Sequence, residues 1–236
     1  MENPLISIKS NDRTFITGMT GSGKTYLAHF LCKSLPRLIV IDTKGTLKNW
    51  NCDPWDYNTK HLLTSDEPVR IRVQPPIEIE SVPKFIDEIF LACYKATNCT
   101  IYIDEVYGVI PPGRDASSVL FGLFTRGREL GVGVISASQR PSWLPLVAIS
   151  ESEHMFCFYL QLIEDRKRMA AFMGEDVLSL APDQYGFYYY RSGSRTTQYF
   201  KRLEVANDEI NLKTVKIIPD NPPRKRLLNF NFGGSK

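Results

Sequence analysis

Residues 15–25 read FITGMTGSGKT, a short apolar run that passes into a glycine-rich turn. No other stretch limits the fold so tightly, because it requires a strand, a tight loop and a helix in that order. From Gly18 to Thr25 the spacing is G-x-x-x-x-G-K-T, the P-loop pattern in which backbone N–H groups wrap a phosphate at a helix N-terminus. Gly18, Gly21 and Gly23 place no side chain where the backbone must curl and approach a ligand. Lys24 brings a point charge to β- and γ-phosphates, and the Thr25 hydroxyl offers a ligand to Mg²⁺. The flanks agree: residues 13–17 predict a strand and residues 24–35 an amphipathic helix. ATP and Mg²⁺ are the expected cofactors, with Gly18, Met19, Thr20, Gly21, Ser22, Gly23, Lys24, Thr25 and Tyr26 as the nucleotide-binding set.

A chain of 236 residues holds one substantial domain with a buried core. Its formal net charge of +3 is too mild for a global field, so affinity for nucleic acid must come from local arrangement. Five cysteines (Cys32, Cys52, Cys93, Cys99 and Cys157) form no C-x-x-C pair, which argues against a disulfide framework or a zinc knuckle. The N-terminus lacks a basic segment followed by an apolar one, and no apolar run approaches the length of a membrane span. A soluble intracellular protein without direct membrane insertion is expected.

Further strands are expected at 38–42, 69–73, 100–103, 132–138 and 155–160, with helices at 83–97, 116–130 and 162–173. An apolar cluster at 4–8 suggests an edge strand, and 184–191 with 196–202 a hairpin joined by 192–194. The strand at 100–103 ends in Asp104 and Glu105, the second half of an ATP site. Asp104 supports the metal beside Thr25, and Glu105 polarises the attacking water as general base. Gln139, at the tip of the strand beside the P-loop, is the candidate γ-phosphate sensor. Arg126 and Arg128 close the 116–130 helix, either as an arginine finger for a neighbour's γ-phosphate or as cations suited to the helix dipole. At the C-terminal end of the strand at 38–42, Asp42 and Lys44 either lie near nucleotide or polymer or form a solvated turn bent at Gly45. The aromatic residues Trp50, Trp55 and Tyr57 anchor a loop on the core or on another subunit. His61 and His154 are given no chemistry, and the charges Glu164, Asp165, Arg166, Lys167 and Arg168 read as a solvated face. The fold class expected is therefore α/β: a three-layer, additional-strand P-loop NTPase with a mostly parallel central sheet, a C-terminal hairpin and an extended tail; that it is RecA/FtsK-like is what residues 126–142 imply by resemblance. Residues 1–203 form the motor domain and 204–236 a basic, proline-containing tail.

Residues 126–142, RGRELGVGVISASQRPS, closely resemble the segment of FtsK/HerA-type DNA-translocating ATPases that reads roughly G-R-x-x-G-I-x-x-I-x-A-T-Q-R-P-S, with Ser138 where threonine is usual. Residues 42–45, DTKG, look like that superfamily's D-P-K-G, with Thr43 replacing proline. The resemblance covers about residues 10–200. It implies that Lys24 and Thr25 bind nucleotide and Mg²⁺, Asp104 supports the metal, Glu105 activates water, Gln139 senses the γ-phosphate, and Arg126 or Arg128 acts in trans. It also implies a homo-oligomeric ring, hexamer or pentamer, around double-stranded DNA. A bare motor with a short tail is most like the genome-packaging ATPases of double-stranded DNA viruses. Packaging into a preformed capsid is the function expected, with a portal or vertex protein as partner, in the cytoplasm of the infected host cell or on the virion. The alternatives are a plasmid or cellular DNA translocase and a non-catalytic nucleotide-dependent assembly switch.

Overall fold

The computed structural model describes residues 6–55, 67–76, 82–179, 183–194, 196–201 and 215–218. In chain order the elements are β1 (Ile6–Lys9), β2 (Arg13–Thr17), α1 (Lys24–Cys32), β3 (Arg37–Ile41), β4 (Asp53–Pro54), β5 (Val69–Val73) and α2 (Val82–Ala96). There follow β6 (Thr100–Ile103), α3 (Ser118–Arg126), β7 (Gly133–Ser138), α4 (Val147–Ser150), β8 (His154–Phe158), α5 (Ile163–Met173), β9 (Phe187–Arg191), β10 (Gln198–Phe200) and β11 (Val215–Ile218). Nine strands make one sheet in the order β10-β9-β8-β2-β7-β6-β3-β5-β4. From β8 to β4 every pairing is parallel, and β9 and β10 close the other edge as an antiparallel hairpin.

Alternation along the central strands builds two cores, one on each face of the sheet. Phe15, Ile39, Ile41, Ile101 and Ile103 face Ile86, Ile89, Phe90, Leu120 and Leu123 of α2 and α3, while Met155 and Cys157 join Met169 and Met173 of α5 on the same side. Ile16, Leu38, Val40, Tyr102 and Ile135 face Leu27, Ala28 and Leu31 of α1 on the other. The result is the three-layer arrangement expected of the sequence. Strand β7 lies between the P-loop strand β2 and the acid-tipped strand β6, so the loops after β2, β7, β6 and β3 meet at one edge of the sheet. In open parallel sheets ligands bind at that carboxyl edge.

Several expectations need correction. The 4–8 cluster does not edge the main sheet: β1 pairs in parallel with β11, from Ile6 opposite Val215 to Lys9 opposite Ile218. That strand falls inside the expected extended tail; the proline-rich basic stretch 219–226, the rest of the tail, Tyr57 and His61 lie outside the described residues. The 116–130 helix is shorter, because α3 stops at Arg126 and residues 127–130 tighten into a 3₁₀ turn that ends at Gly131. The Trp50 loop is anchored on its own core, the indole stacked on Tyr102 with centroids 4.8 Å apart. Beyond it, β4 adds a two-residue edge strand that no periodicity announced.

Candidate active site

The P-loop hangs between the tips of two strands. Thr17 Oγ1 donates to the Ser138 carbonyl at 2.9 Å, and the Met19 amide donates to the Tyr159 carbonyl at 2.8 Å. A Cβ at Gly18 would lie 2.6 Å from both Phe158 Cβ and Ser22 Oγ, so the loop can pass β8 only with glycine there. Gly23, with φ 108°, turns the chain into α1, whose first turn carries neither a side-chain cap nor an acidic residue. Its first N–H groups and the positive end of its dipole are left for an anion. The Ser22 hydroxyl is buried and has no hydrogen-bond partner among the described residues. Lys24 Nζ donates to the carbonyls of Gly18 at 2.6 Å and Met19 at 2.9 Å. Burial, opposed by Glu105 and reinforced by Lys44, draws its pKa down to about 8. The outer side of the loop, Met19 to Ser22, forms one wall of a cleft of about 220 Å³, with Tyr159 and residues 183–186 opposite.

Asp104 and Glu105 sit at the tip of β6, 4% and 1% exposed. Asp104 Oδ1 accepts from the Tyr102 hydroxyl at 2.9 Å, and Glu105 Oε1 accepts from the Gln139 amide at 3.2 Å. Burial raises the Glu105 pKa, against the Ser138 hydroxyl, Lys44, the Gln139 amide and Lys24, which favour its charged form. A base with a raised pKa holds a proton better at the moment of attack. Gln139 Oε1 in turn accepts from Thr20 Oγ1 at 2.7 Å, joining the β7 tip to the P-loop. Lys24, Asp104, Glu105 and Gln139 therefore converge, and Thr25 and Tyr26 begin α1 with exposed side chains.

The two arginines do not converge with them. In the parallel sheet α3 ends beside the N-terminal ends of β7 and β2, the edge opposite the P-loop. There Arg128 reaches Glu153 at 3.0 Å and Asp12 at 3.9 Å. Glu153 is also held by Arg13 at 2.6 Å, and Asp12 by the buried His154, whose other ring nitrogen meets the Tyr189 hydroxyl at 2.9 Å. Arg126 is exposed and forms no hydrogen bond or ion pair among the described residues.

Three groups at the site stand out less in the sequence. Asp42 is fully buried and caps its own loop, accepting from the Thr46 and Leu47 amides at 3.0 Å each and pairing with Arg72, so the turn is built on a buried acid and is not a solvated one. Lys44, from the same turn, reaches the β6 acids, with Nζ 3.6 Å from Asp104 Oδ2 and from Glu105 Oε2. Asp165 is not part of a solvated face: it is 2% exposed and receives Arg140 Nε, the Ser142 amide and the Ser142 hydroxyl, which latches the loop after Gln139 onto α5. Two acids followed by three bases on one short helix gave no sign of that long-range contact.

A phosphate-binding loop, an acidic pair two strands away and a polar-tipped strand inserted between them define an additional-strand P-loop NTPase. The chain belongs to the AAA family of ATPases (ATPase family associated with various cellular activities), whose family model matches residues 14–158, and it is an ATPase. It is similar to the DNA packaging ATPase P9 of Enterobacteria phage PRD1, 29% identical over 178 residues that cover 71% of this chain and 73% of that protein. Its fold resembles that of the genome packaging NTPase B204 from Sulfolobus turreted icosahedral virus 2 in complex with AMPPCP, with a TM-score of 0.67 at 18% identity over 82% of this chain and 98% of that one. The conjugation coupling protein TcpA of pCW3, in its monomer form with ATPγS, matches with a TM-score of 0.54 at 13% identity, over 82% of this chain and 60% of that one. The mostly parallel P-loop NTPase sheet expected of the sequence is the fold found. Among the described residues no helix is long and apolar enough to cross a membrane.

Proposed function

We propose that the chain is the ATP-driven motor of a double-stranded DNA virus, which assembles as a homo-oligomeric ring and pumps DNA into a preformed capsid. Glu105 carries the hydrolytic half of this reading: it is buried beside Lys24 and aimed by the Gln139 amide, a base for water that a nucleotide-dependent switch does not need. The likeness to P9 supports DNA packaging as the work done.

The residues present suit Mg²⁺ and a triphosphate. The unpartnered Ser22 hydroxyl, the uncapped start of α1 and the unbonded Glu105 Oε2 all await partners that phosphate, metal and water provide. Thr25 and Asp104 would hold Mg²⁺, which when bound neutralises charge developing on the phosphate oxygens. The loop amides and Lys24 grip the β- and γ-phosphates, and the cleft between Met19 and Tyr185 takes the base. Glu105 accepts a proton from water as its oxygen attacks the γ-phosphorus. The bond from that phosphorus to the bridging oxygen breaks, and ADP and phosphate leave. Gln139, bonded to Thr20 and through its amide to Glu105, relays the loss of the γ-phosphate to the loop latched by Asp165. Arg126 is the better trans finger, since Arg128 is engaged by Glu153 and Asp12 of its own subunit. Residues 1–203 are the motor and 204–236 a tail for a neighbour, DNA or a portal protein, at work in the cytoplasm of the infected cell.

The test is ATP-dependent displacement of a third strand from a DNA triplex. Wild-type protein is expected to strip the oligonucleotide and Glu105→Gln to leave it in place; no displacement by active, assembled protein contradicts a translocase.

A further inference from the structure

Two carboxylates side by side at the tip of β6, both nearly inaccessible to water, repel each other and need a cation. Each has one oxygen bound by a neutral donor, Asp104 Oδ1 by the Tyr102 hydroxyl and Glu105 Oε1 by the Gln139 amide. The remaining oxygens face Lys44, whose Nζ stands 3.6 Å from both, and Glu105 Oε2 has no hydrogen bond among the described residues. At that distance the ammonium is held by charge and not by a directed hydrogen bond, so it can leave without breaking one. The backbone beneath it is fixed. Asp42 binds the Thr46 and Leu47 amides, and Gly45 turns with φ 69° in a place where a Cβ would meet Gln74 at 2.9 Å. What can move is the Lys44 side chain, 39% exposed.

We infer that Lys44 is a resident counter-cation of the Asp104–Glu105 pair, which a divalent metal must displace, so that the side chain after β3 changes position with the nucleotide state. The inference rests on Asp104 as the metal-supporting residue. Lys44 thereby acts as a positioning residue: it holds Glu105 Oε2 in place until metal and nucleotide arrive together, and it discourages the pair from taking up a metal ion by itself.

Mn²⁺ binding followed by electron paramagnetic resonance, with nucleotide omitted, tests this on the full chain. Lys44→Met is expected to bind Mn²⁺ roughly tenfold more tightly than wild type, as removal of a like charge from a half-buried site should allow, and Lys44→Arg to stay within about twofold. Adding Asp104→Asn to Lys44→Met should abolish the gain. Unchanged or weaker Mn²⁺ binding in Lys44→Met, with far-ultraviolet circular dichroism unaltered, overturns the inference. Mn²⁺–ATP binding separates the two claims: if Asp104→Asn leaves it unchanged, the metal assignment itself fails. If Asp104→Asn weakens it while Lys44→Met leaves Mn²⁺ binding unaltered, only the role of Lys44 falls.

Discussion

Tyr102 shows how single groups set the chemistry. Its ring is buried under Trp50 and its hydroxyl fixes Asp104 Oδ1 at 2.9 Å, so the carboxylate is aimed before any ligand reaches it. Outer partners of this kind are worth about 10–100-fold in metal affinity. Tyr102→Phe is therefore expected to raise the Mg²⁺ concentration needed for half-maximal ATPase activity by roughly tenfold while leaving the fold intact. Lys24→Ala, which removes the only side-chain cation inside the P-loop, is expected to weaken binding of a fluorescent ATP analogue by about a hundredfold, measured by anisotropy. The residues of the P-loop and the β6 tip were legible because their chemistry is local: glycines, lysine and hydroxyl within eight positions, two acids after four β-prone residues. Asp165 was not, and Lys44 was so only as one of two readings, because what each does is decided by a partner 23 or 60 positions away that only folding brings near.

At the scale of elements, the central strands were readable as continuous apolar runs, since a parallel strand covered on both faces has no polar side to show. The β1–β11 pair and the two-residue β4 escaped notice because their pairings are set by distant chain, not by their own pattern. Packing at the start of β7 is tight: a Cβ on Gly133 would come within 2.0 Å of the Ser10 carbonyl oxygen. Gly133→Ala is expected to cost about 3 kcal/mol in urea unfolding, since backbone cannot give way as a side chain can. The same edge carries a pH dependence. Burial works to raise the Glu153 pKa, but the hydrogen bonds and charge of Arg13, with Arg128, outweigh it and hold the carboxyl below its usual 4.5. A depressed carboxyl stabilises the fold above its unfolded value and loses that contribution as pH falls through the folded one. Stability should thus drop below about pH 4.5, and Glu153→Gln should flatten that drop while lowering stability at pH 7.

For the whole molecule, the distance between Arg126 and the P-loop matters most. One lies at the N-terminal edge of the sheet and the other at its carboxyl edge, so a finger from α3 can serve only a neighbour's nucleotide. Mixing Lys24→Ala subunits with Arg126→Ala subunits should then restore part of the ATPase activity that each lacks alone, whereas Arg128→Ala should act first on stability through Glu153 and Asp12. In the proposed motor the buried Glu105 drives hydrolysis coupled to DNA. ATP turnover by wild type and Glu105→Gln, at protein concentrations that allow assembly and with or without double-stranded DNA, addresses it most directly. Turnover is expected to rise with DNA in the wild type and to fall by at least about a hundredfold in Glu105→Gln with ATP still bound. Turnover that ignores DNA, or that survives the loss of Glu105, would contradict it.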